Sequence, residues 1–491
     1  MSFLNRIIQV FTDYSQRKAF CIQGRFYTYT DLAGKITLIK KELDRHGDDE
    51  QRIGIIINDS IETYASVLAI LLSGKTYIPI SPDYPAERIL QIIDQAGIKI
   101  VLSQQPFNIG TDIKNIPAAS LTGPYTSKIT AVQFKLQERE AYILFTSGST
   151  GKPKGVPLSY YNLDSFVSAF FELGYDLNEN ERFLQMFDLT FDLSVMSFLI
   201  PLCLGASIFT VADNGMKYAS VYTVLSERKI TTALMIPSIL SYLKPYFDEI
   251  DLPDLRYSLF CGEALYTDTV IEWMKCVPNA IIENMYGPTE ATIFCVSYRV
   301  NKGTPVNSYN GIVPIGQVMA GMEAIVIDES GCPADAGTKG ELCLSGKQVT
   351  MGYLNGNNQA FFVYAGKRYY RTGDLVFKDK HGDFLFCGRL DHQVKIQGFR
   401  IELSEIEFHL LKITGNAKAV ALVVNTASGI SRIDAVLEGR EGNPADIIGQ
   451  LKMNLPPYMI PSQVHFVPVF PLNANGKTDR SKLMEIIAPT A

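Results

Sequence analysis

The sequence predicts an α/β protein with largely parallel sheets in a large N-terminal part, joined to a smaller α+β domain at the C-terminus. Three observations point there. Apolar, β-branched runs alternate with helix-length segments through the first half of the chain. Near Val313 the texture changes to short strands and glycine turns, and after Asp391 a third pattern begins. A length of 491 residues agrees, being enough for about three domains of ~150 residues each.

In chain order, Ile53–Ile57 reads as a buried strand, and Asp59 or Ser60 caps a helix with Ile61, Ala65, Leu68, Ala69 and Leu72 on one face. Further strands are expected at Thr76–Ile80, Lys99–Leu102, Ala141–Phe145, Ile208–Val211 and Thr232–Ile236, each followed by a helix-length segment. The uncharged run from Leu193 to Ala212 is long enough to cross a bilayer. Pro201 and Gly205 break it and four hydroxyl residues dilute it, so a buried helix to about Leu204 and a strand from Ser207 explain the same letters. Short strands at Glu323–Ile327, Glu341–Ser345 and Phe384–Cys387 mark a small antiparallel or barrel-like subdomain over about 313–390. Beyond it come a hairpin at Gln393–Arg400, a helix from Ser404, strands near Ala419 and Ala435, a helix near Ile447 and a strand at His465–Val469. The expected division is therefore 1–390 and 391–491.

Composition excludes several classes of function. Lys and Arg total 45 against 51 Asp and Glu, which lacks the basic footprint of a nucleic-acid binder. Eight cysteines never form a CxxC pair, and the five histidines are not spaced with them as metal ligands. Reduced, buried thiols in a cytoplasmic protein are expected, without a secretion signal and without stable membrane insertion.

The strongest local signal is Thr146-Ser147-Gly148-Ser149-Thr150-Gly151-Lys152-Pro153-Lys154, directly after an apolar strand. Only two residues separate its first glycines and Pro153 follows Lys152, so it is not a Walker A loop. Its glycines, hydroxyls and lysines nevertheless suit close approach to phosphate oxygens; a plain surface turn would use the same letters. Asn284-Met285-Tyr286-Gly287-Pro288-Thr289-Glu290 places a ring, a turn, a hydroxyl and a carboxylate together, and such a carboxylate beside phosphates is what Mg²⁺ requires. Asp374 in Arg371-Thr-Gly-Asp374 is an acid fit for ribose hydroxyls, and Lys477 in Asn475-Gly-Lys477 is a loop-tip lysine.

In this order the segments resemble the adenylate-forming superfamily of nonribosomal peptide synthetase adenylation domains, acyl-CoA ligases and luciferases. The resemblance runs from Phe26-Tyr-Thr-Tyr-Thr-Asp-Leu32 to Lys477 and implies a large N-terminal domain hinged to a small C-terminal lid. It assigns the ATP phosphates to Thr146, Ser147, Gly148, Ser149, Thr150, Gly151, Lys152 and Lys154, and Mg²⁺ to Glu290. Glu263, Asn284, Tyr286, Gly287 and Thr289 would complete the ATP site, with Asp374 on the ribose and Arg389 on the nucleotide. Asp391 would be the hinge, and Lys477, with Arg389, catalytic.

Asp192 in Phe191-Asp-Leu-Ser-Val-Met196 matches the aspartate that pairs with a substrate ammonium in amino-acid-activating members, although an acid before Ser194 also fits a helix cap. The same alignment makes Leu193, Met196, Met235, Leu259, Cys261, Met285 and Ile293 the pocket wall, leaving room for a small apolar side chain. Several segments are similar to the D-alanine:D-alanyl carrier protein ligases, whose cysteine at the position of Cys261 helps to select D-alanine. Met285 and Phe294 depart from that pattern, and Ser81–Arg88 looks more like the peptide synthetase modules.

The expected reaction is amino-acid adenylation by ATP, followed by transfer to the phosphopantetheine thiol of a carrier protein acting in trans, since no carrier segment follows Lys477. An adenylation enzyme for another small apolar amino acid, an acyl-CoA ligase, and a non-catalytic binding protein are the alternatives; Asp192 argues against the ligase of simple acids.

Overall fold

The structure is a computed structural model that describes residues 1–46, 50–108, 113–126, 128–148, 151–212, 217–303, 306–354, 356, 358–391, 393–415, 418–425, 431–439, 442–472 and 478–487. The chain forms two compact units: Met1–Pro82 with Ile93–Leu144 and Gly155–Leu390, and Asp83–Ile92 with Phe145–Lys154 and Asp391–Ala491.

The first unit is built on two α/β sheets and one antiparallel sheet. The largest has nine strands in the order Gln317–Val318, Val296–Val300, Ile281–Tyr286, Tyr257–Phe260, Thr232–Met235, Arg182–Gln185, Ser207–Thr210, Lys18–Ile22, Arg25–Thr28. Its six middle strands are parallel and only the edges are antiparallel. The second sheet has six strands, with Arg52–Ile56 between Ile100–Ser103 and Thr76–Ile80. Burial on both faces explains why strands such as Thr76–Ile80 read as unbroken apolar runs.

Helix boundaries follow local chemistry. Ser60 caps Ile61–Leu72 by accepting from Thr63 N at 3.3 Å, while Asp59 accepts instead from the Thr210 hydroxyl at 3.0 Å. The uncharged run beginning at Leu193 divides as the sequence indicates, into the helix Asp192–Leu204, ended by Gly205 in the left-handed region, and the strand Ser207–Thr210. No helix among the described residues is long and apolar enough to cross a membrane.

The barrel-like region is a five-stranded antiparallel sheet. Its twelve-residue strand Lys367–Lys378 pairs with Gly340–Gly346, Phe361–Tyr364 and Phe384–Arg389.

In the second unit, the hairpin Gln393–Ile396/Phe399–Glu402 turns through Gln397 and Gly398, both at positive φ as a two-residue turn requires. The helix Leu403–Thr414 follows, then the strands Ala419–Asn425, Ser431–Glu438 and Gln463–Val467, which form one sheet. Ile401, Ile406, Leu410, Ala421, Ala435, Leu451 and Met459 form its core.

Candidate active site

In the nine-stranded sheet the chain leaves Arg182–Gln185 for its neighbour Ser207–Thr210 on one side, then returns to Thr232–Met235 on the other. Open parallel sheets bind ligands beyond the carboxyl ends of the strands where the order reverses in this way. Asp192 stands there, on the first turn of the helix that follows Arg182–Gln185. It is not a cap: the cap is Phe191, whose carbonyl accepts from the Ser194 hydroxyl. Buried Tyr77 and Tyr142 have hydroxyls without a hydrogen-bond partner among the described residues. Burial is the main cause that raises both pKa values; the Asp192 charge adds to it at Tyr77, and at Tyr142 the neighbouring Tyr77 adds first and Asp192 after it.

Met235 ends one of the strands flanking the switch, Leu259 lies on the next and Met285 on the one after. With Leu193, Met196, Cys261 and Ile293 they belong to one buried cluster. Ile293 and its neighbour Thr292 are both at positive φ, a strained conformation for β-branched residues that costs roughly 1–3 kcal/mol each. Strain of that size persists where the surroundings impose it: the Thr292 hydroxyl donates to the Gln348 carbonyl, and Gly287 lies so close that a Cβ there would meet the Phe294 backbone at 2.4 Å.

A second cluster surrounds Asp374, which faces Arg389 across two antiparallel strands. Arg389 Nη1 reaches Asp374 Oδ1 at 2.6 Å, the Tyr286 hydroxyl donates to Oδ2, and the Asp374 N–H donates to the Thr372 hydroxyl oxygen at 3.0 Å. Burial, reinforced by the Asp374 carboxylate, keeps Tyr286 protonated by raising its pKa well above the ordinary value. The Asn284 amide donates to the Pro314 carbonyl at 2.9 Å and so holds that loop, while Glu263 accepts from Ser238 N at 2.8 Å.

Glu290 is buried, with Oε1 accepting from the Tyr353 hydroxyl at 2.7 Å and its carbonyl accepting from Thr350 N at 2.8 Å. No three His, Cys, Asp or Glu side chains among the described residues converge as a metal cage. A single oriented carboxylate is a donor that Mg²⁺ accepts, since that ion is commonly held by one or two carboxylates together with substrate phosphates.

The glycine-rich loop belongs to the second unit. A Cβ on Gly148 would lie 2.0 Å from the Lys152 carbonyl, so glycine is required for this fold-back, and Gly151 N closes it on the Gly148 carbonyl at 3.1 Å. Lys152 is exposed, Lys154 half-buried, and the Ser147 hydroxyl donates to the Arg400 carbonyl at 2.9 Å and accepts from Glu402 N at 3.1 Å. Ser149, Thr150 and Lys477 lie outside the described residues. At Asp391 the carboxylate accepts from Gln393 N at 3.1 Å, while the preceding Leu390 N donates to the Gly373 carbonyl at 2.8 Å.

The structure thus gathers Tyr286, Asp374 and Arg389 into one hydrogen-bonded cluster, while the seven apolar positions are all buried in the large core of the first unit. The sequence reading missed Tyr353, which orients Glu290, and the pair Arg88 and Glu405, which meets the glycine-rich loop. Tyr353 was within reach, in a Gly-Tyr pair after a buried strand. Arg88 and Glu405 were not, because 317 positions separate them.

With the strand reversal, the buried Glu290 carboxylate and the Tyr286–Asp374–Arg389 cluster in place, the class follows from a family match: the chain belongs to the family of AMP-binding enzymes, matched over residues 9–354. Among its relatives, a linear gramicidin synthase of Brevibacillus parabrevis is 32% identical over 97% of this chain, which spans 10% of that protein's length. D-alanine--D-alanyl carrier protein ligase of Lacticaseibacillus paracasei is 30% identical over 98% of both chains. Among solved structures, the Vibrio cholerae adenylation domain AlmE in complex with glycyl-adenosine-5'-phosphate superposes with a TM-score of 0.84 at 27% identity, over 99% of this chain and 97% of that one.

Proposed function

We propose that this protein is an AMP-forming ligase that activates a small amino acid, D-alanine first among them, and passes it to the phosphopantetheine thiol of a separate carrier protein. The observation that carries the reading is Asp192, an acid in the first turn of the helix at the strand reversal, close enough to buried Tyr77 to raise its pKa and of the right sign for a cationic ligand group. The full-length relative named for D-alanine and its carrier protein, and the AlmE complex with an aminoacyl adenylate, support the chemistry and the small substrate.

In this reading Asp192 binds the α-ammonium, and Leu193, Met196, Met235, Leu259, Cys261, Met285 and Ile293 bound a short side chain. A carboxylate has about four acceptor sites, so Asp374 can serve Tyr286, Arg389 and the ribose hydroxyls together. The loop from Thr146 to Lys154 takes the phosphates. Glu290, oriented by Tyr353, would hold Mg²⁺, which supplies neutralisation of phosphate charge. Asn284 acts indirectly, through the loop it fixes.

The substrate carboxylate, already ionised at pH 7, attacks the α-phosphorus while Lys477 bridges the carboxylate and the α-phosphate; the bond to the β-phosphate breaks and pyrophosphate leaves with its electron pair. The region from Asp391 then turns about that residue and presents the Gly398 hairpin. The thiol sulfur attacks the acyl carbon, the acyl–phosphate bond breaks, AMP leaves, and the thiol proton passes to solvent. With cysteines free and mostly buried, the enzyme suits the reducing cytoplasm.

Amino-acid-dependent ATP–pyrophosphate exchange tests this across the twenty L-amino acids, glycine, D-alanine, D-serine and D-valine. A dominant D-alanine signal is expected. A dominant signal from another amino acid would keep the mechanism and remove D-alanine; silence with all of them would overturn amino-acid activation.

A further inference from the structure

One face of the helix Leu403–Thr414 meets the glycine-rich loop within the second unit. Gly148 N donates to Glu405 Oε2 at 3.0 Å, and Glu405 Oε1 pairs with Arg88 Nη1 at 2.8 Å. The two side chains are 0% and 3% exposed. At the next turn, the Phe408 ring lies 2.5 Å from where a Cβ of Gly151 would be, and His409 bonds to the Gly151 backbone. An anionic oxygen therefore rests on a backbone N–H of a loop whose composition suits phosphate.

We propose that Glu405 is an internal competitor for the phosphate loop, holding the Gly148 N–H that an oxygen of ATP or pyrophosphate would take. The inference rests on the proposed function, in which this loop binds phosphates. Two anions cannot share one N–H in a buried site, so polyphosphate and Glu405 exclude each other. Arg88 makes the competitor effective: it neutralises the carboxylate away from water and fixes which oxygen faces the loop. Arriving triphosphate displaces the helix face carrying Glu405, Phe408 and His409, and departing pyrophosphate lets it return. Glu405 is then a positioning residue that ties pyrophosphate release to the resting state of the loop.

The test is calorimetric titration of magnesium pyrophosphate into the full chain as wild type, Glu405→Gln and Phe408→Ala. Glu405→Gln keeps the shape and an acceptor for Arg88 while removing the charge; Phe408→Ala loosens the same contact without leaving any buried charge unpaired. Because a competing state lowers apparent affinity by the fraction it occupies, Glu405→Gln should bind about tenfold tighter and Phe408→Ala about threefold tighter. Simple structural damage would weaken binding, so a gain separates competition from misfolding. Unchanged or weaker affinity in both variants overturns the competitor. Pyrophosphate exchange by the wild type, measured alongside, separates the two readings: exchange without an affinity gain sinks the competitor alone, and an affinity gain without amino-acid-dependent exchange sinks the proposed reaction alone.

Discussion

Two carboxylate–arginine pairs, one in each unit, show how differently the same chemistry can be held. Asp374 and Arg389 are 15 positions apart and face each other in adjacent antiparallel strands, so sheet register fixes their geometry. Glu405 and Arg88 are 317 positions apart, and only long-range packing brings them together. Asp374 has its remaining partners in the surrounding strands and is 8% exposed, with Arg389 at 14%. Glu405 is sealed and places its other oxygen on a loop. In the proposed function the first pair is a preset wall for a ligand, and in the further inference the second is a contact that a ligand has to break.

Truncation should separate the pairs most sharply. Glu405→Ala leaves the Arg88 guanidinium buried and uncompensated, which should lower stability by about 3–5 kcal/mol in urea unfolding. Asp374→Ala should lower it by less, because the more exposed Arg389 can turn to water; equal losses would erase the distinction. For activity, Asp192→Ala should reduce kcat/KM for the amino acid about 100-fold, or ~2.7 kcal/mol, in the exchange assay. The corresponding 2-hydroxy acid, which has no ammonium, should not lose that factor. Next, Asp374→Asn should raise KM for ATP about tenfold with little change in thermal midpoint, since the amide keeps one acceptor but loses the charge.

The smallest effect concerns His409, on the same helix as Glu405. Burial is the main reason its pKa lies below the ordinary 6.5; Lys412 lowers it further, while Glu405, Glu87 and the bond to Gly151 oppose the shift. The unfolded chain therefore takes up the proton first, and stability should rise with pH through the window below 6.5. Unfolding midpoints at pH 5 and pH 7 check the sign, and His409→Gln should flatten that part of the profile.

The strand alternation and the tight turn of the glycine-rich loop were legible because each depends on local pattern, apolar period in the one and turn chemistry in the other. Asp192 shows where legibility stops. Its letters fit a helix cap as well as a ligand, and the helix start at Asp192, with Phe191 as cap, removes the first of these readings. Tyr286 read only as a ring in the ATP site, and the bond from its hydroxyl to Asp374 came from the tertiary structure.

By itself, the sequence determined the alternation that builds parallel sheets, the changes of texture near Val313 and Asp391, and the kinds of side chain on which the proposed function draws. These follow from periodicity and from residue chemistry, which are properties of neighbours along the chain. Tertiary structure alone decided that the sheet order reverses at Arg182–Gln185, that Tyr353 orients Glu290, and that Arg88 and Glu405 close on the glycine-rich loop. Such pairings arise when distant segments bury apolar surface together, and the energy that selects them is not written in any window short enough to read.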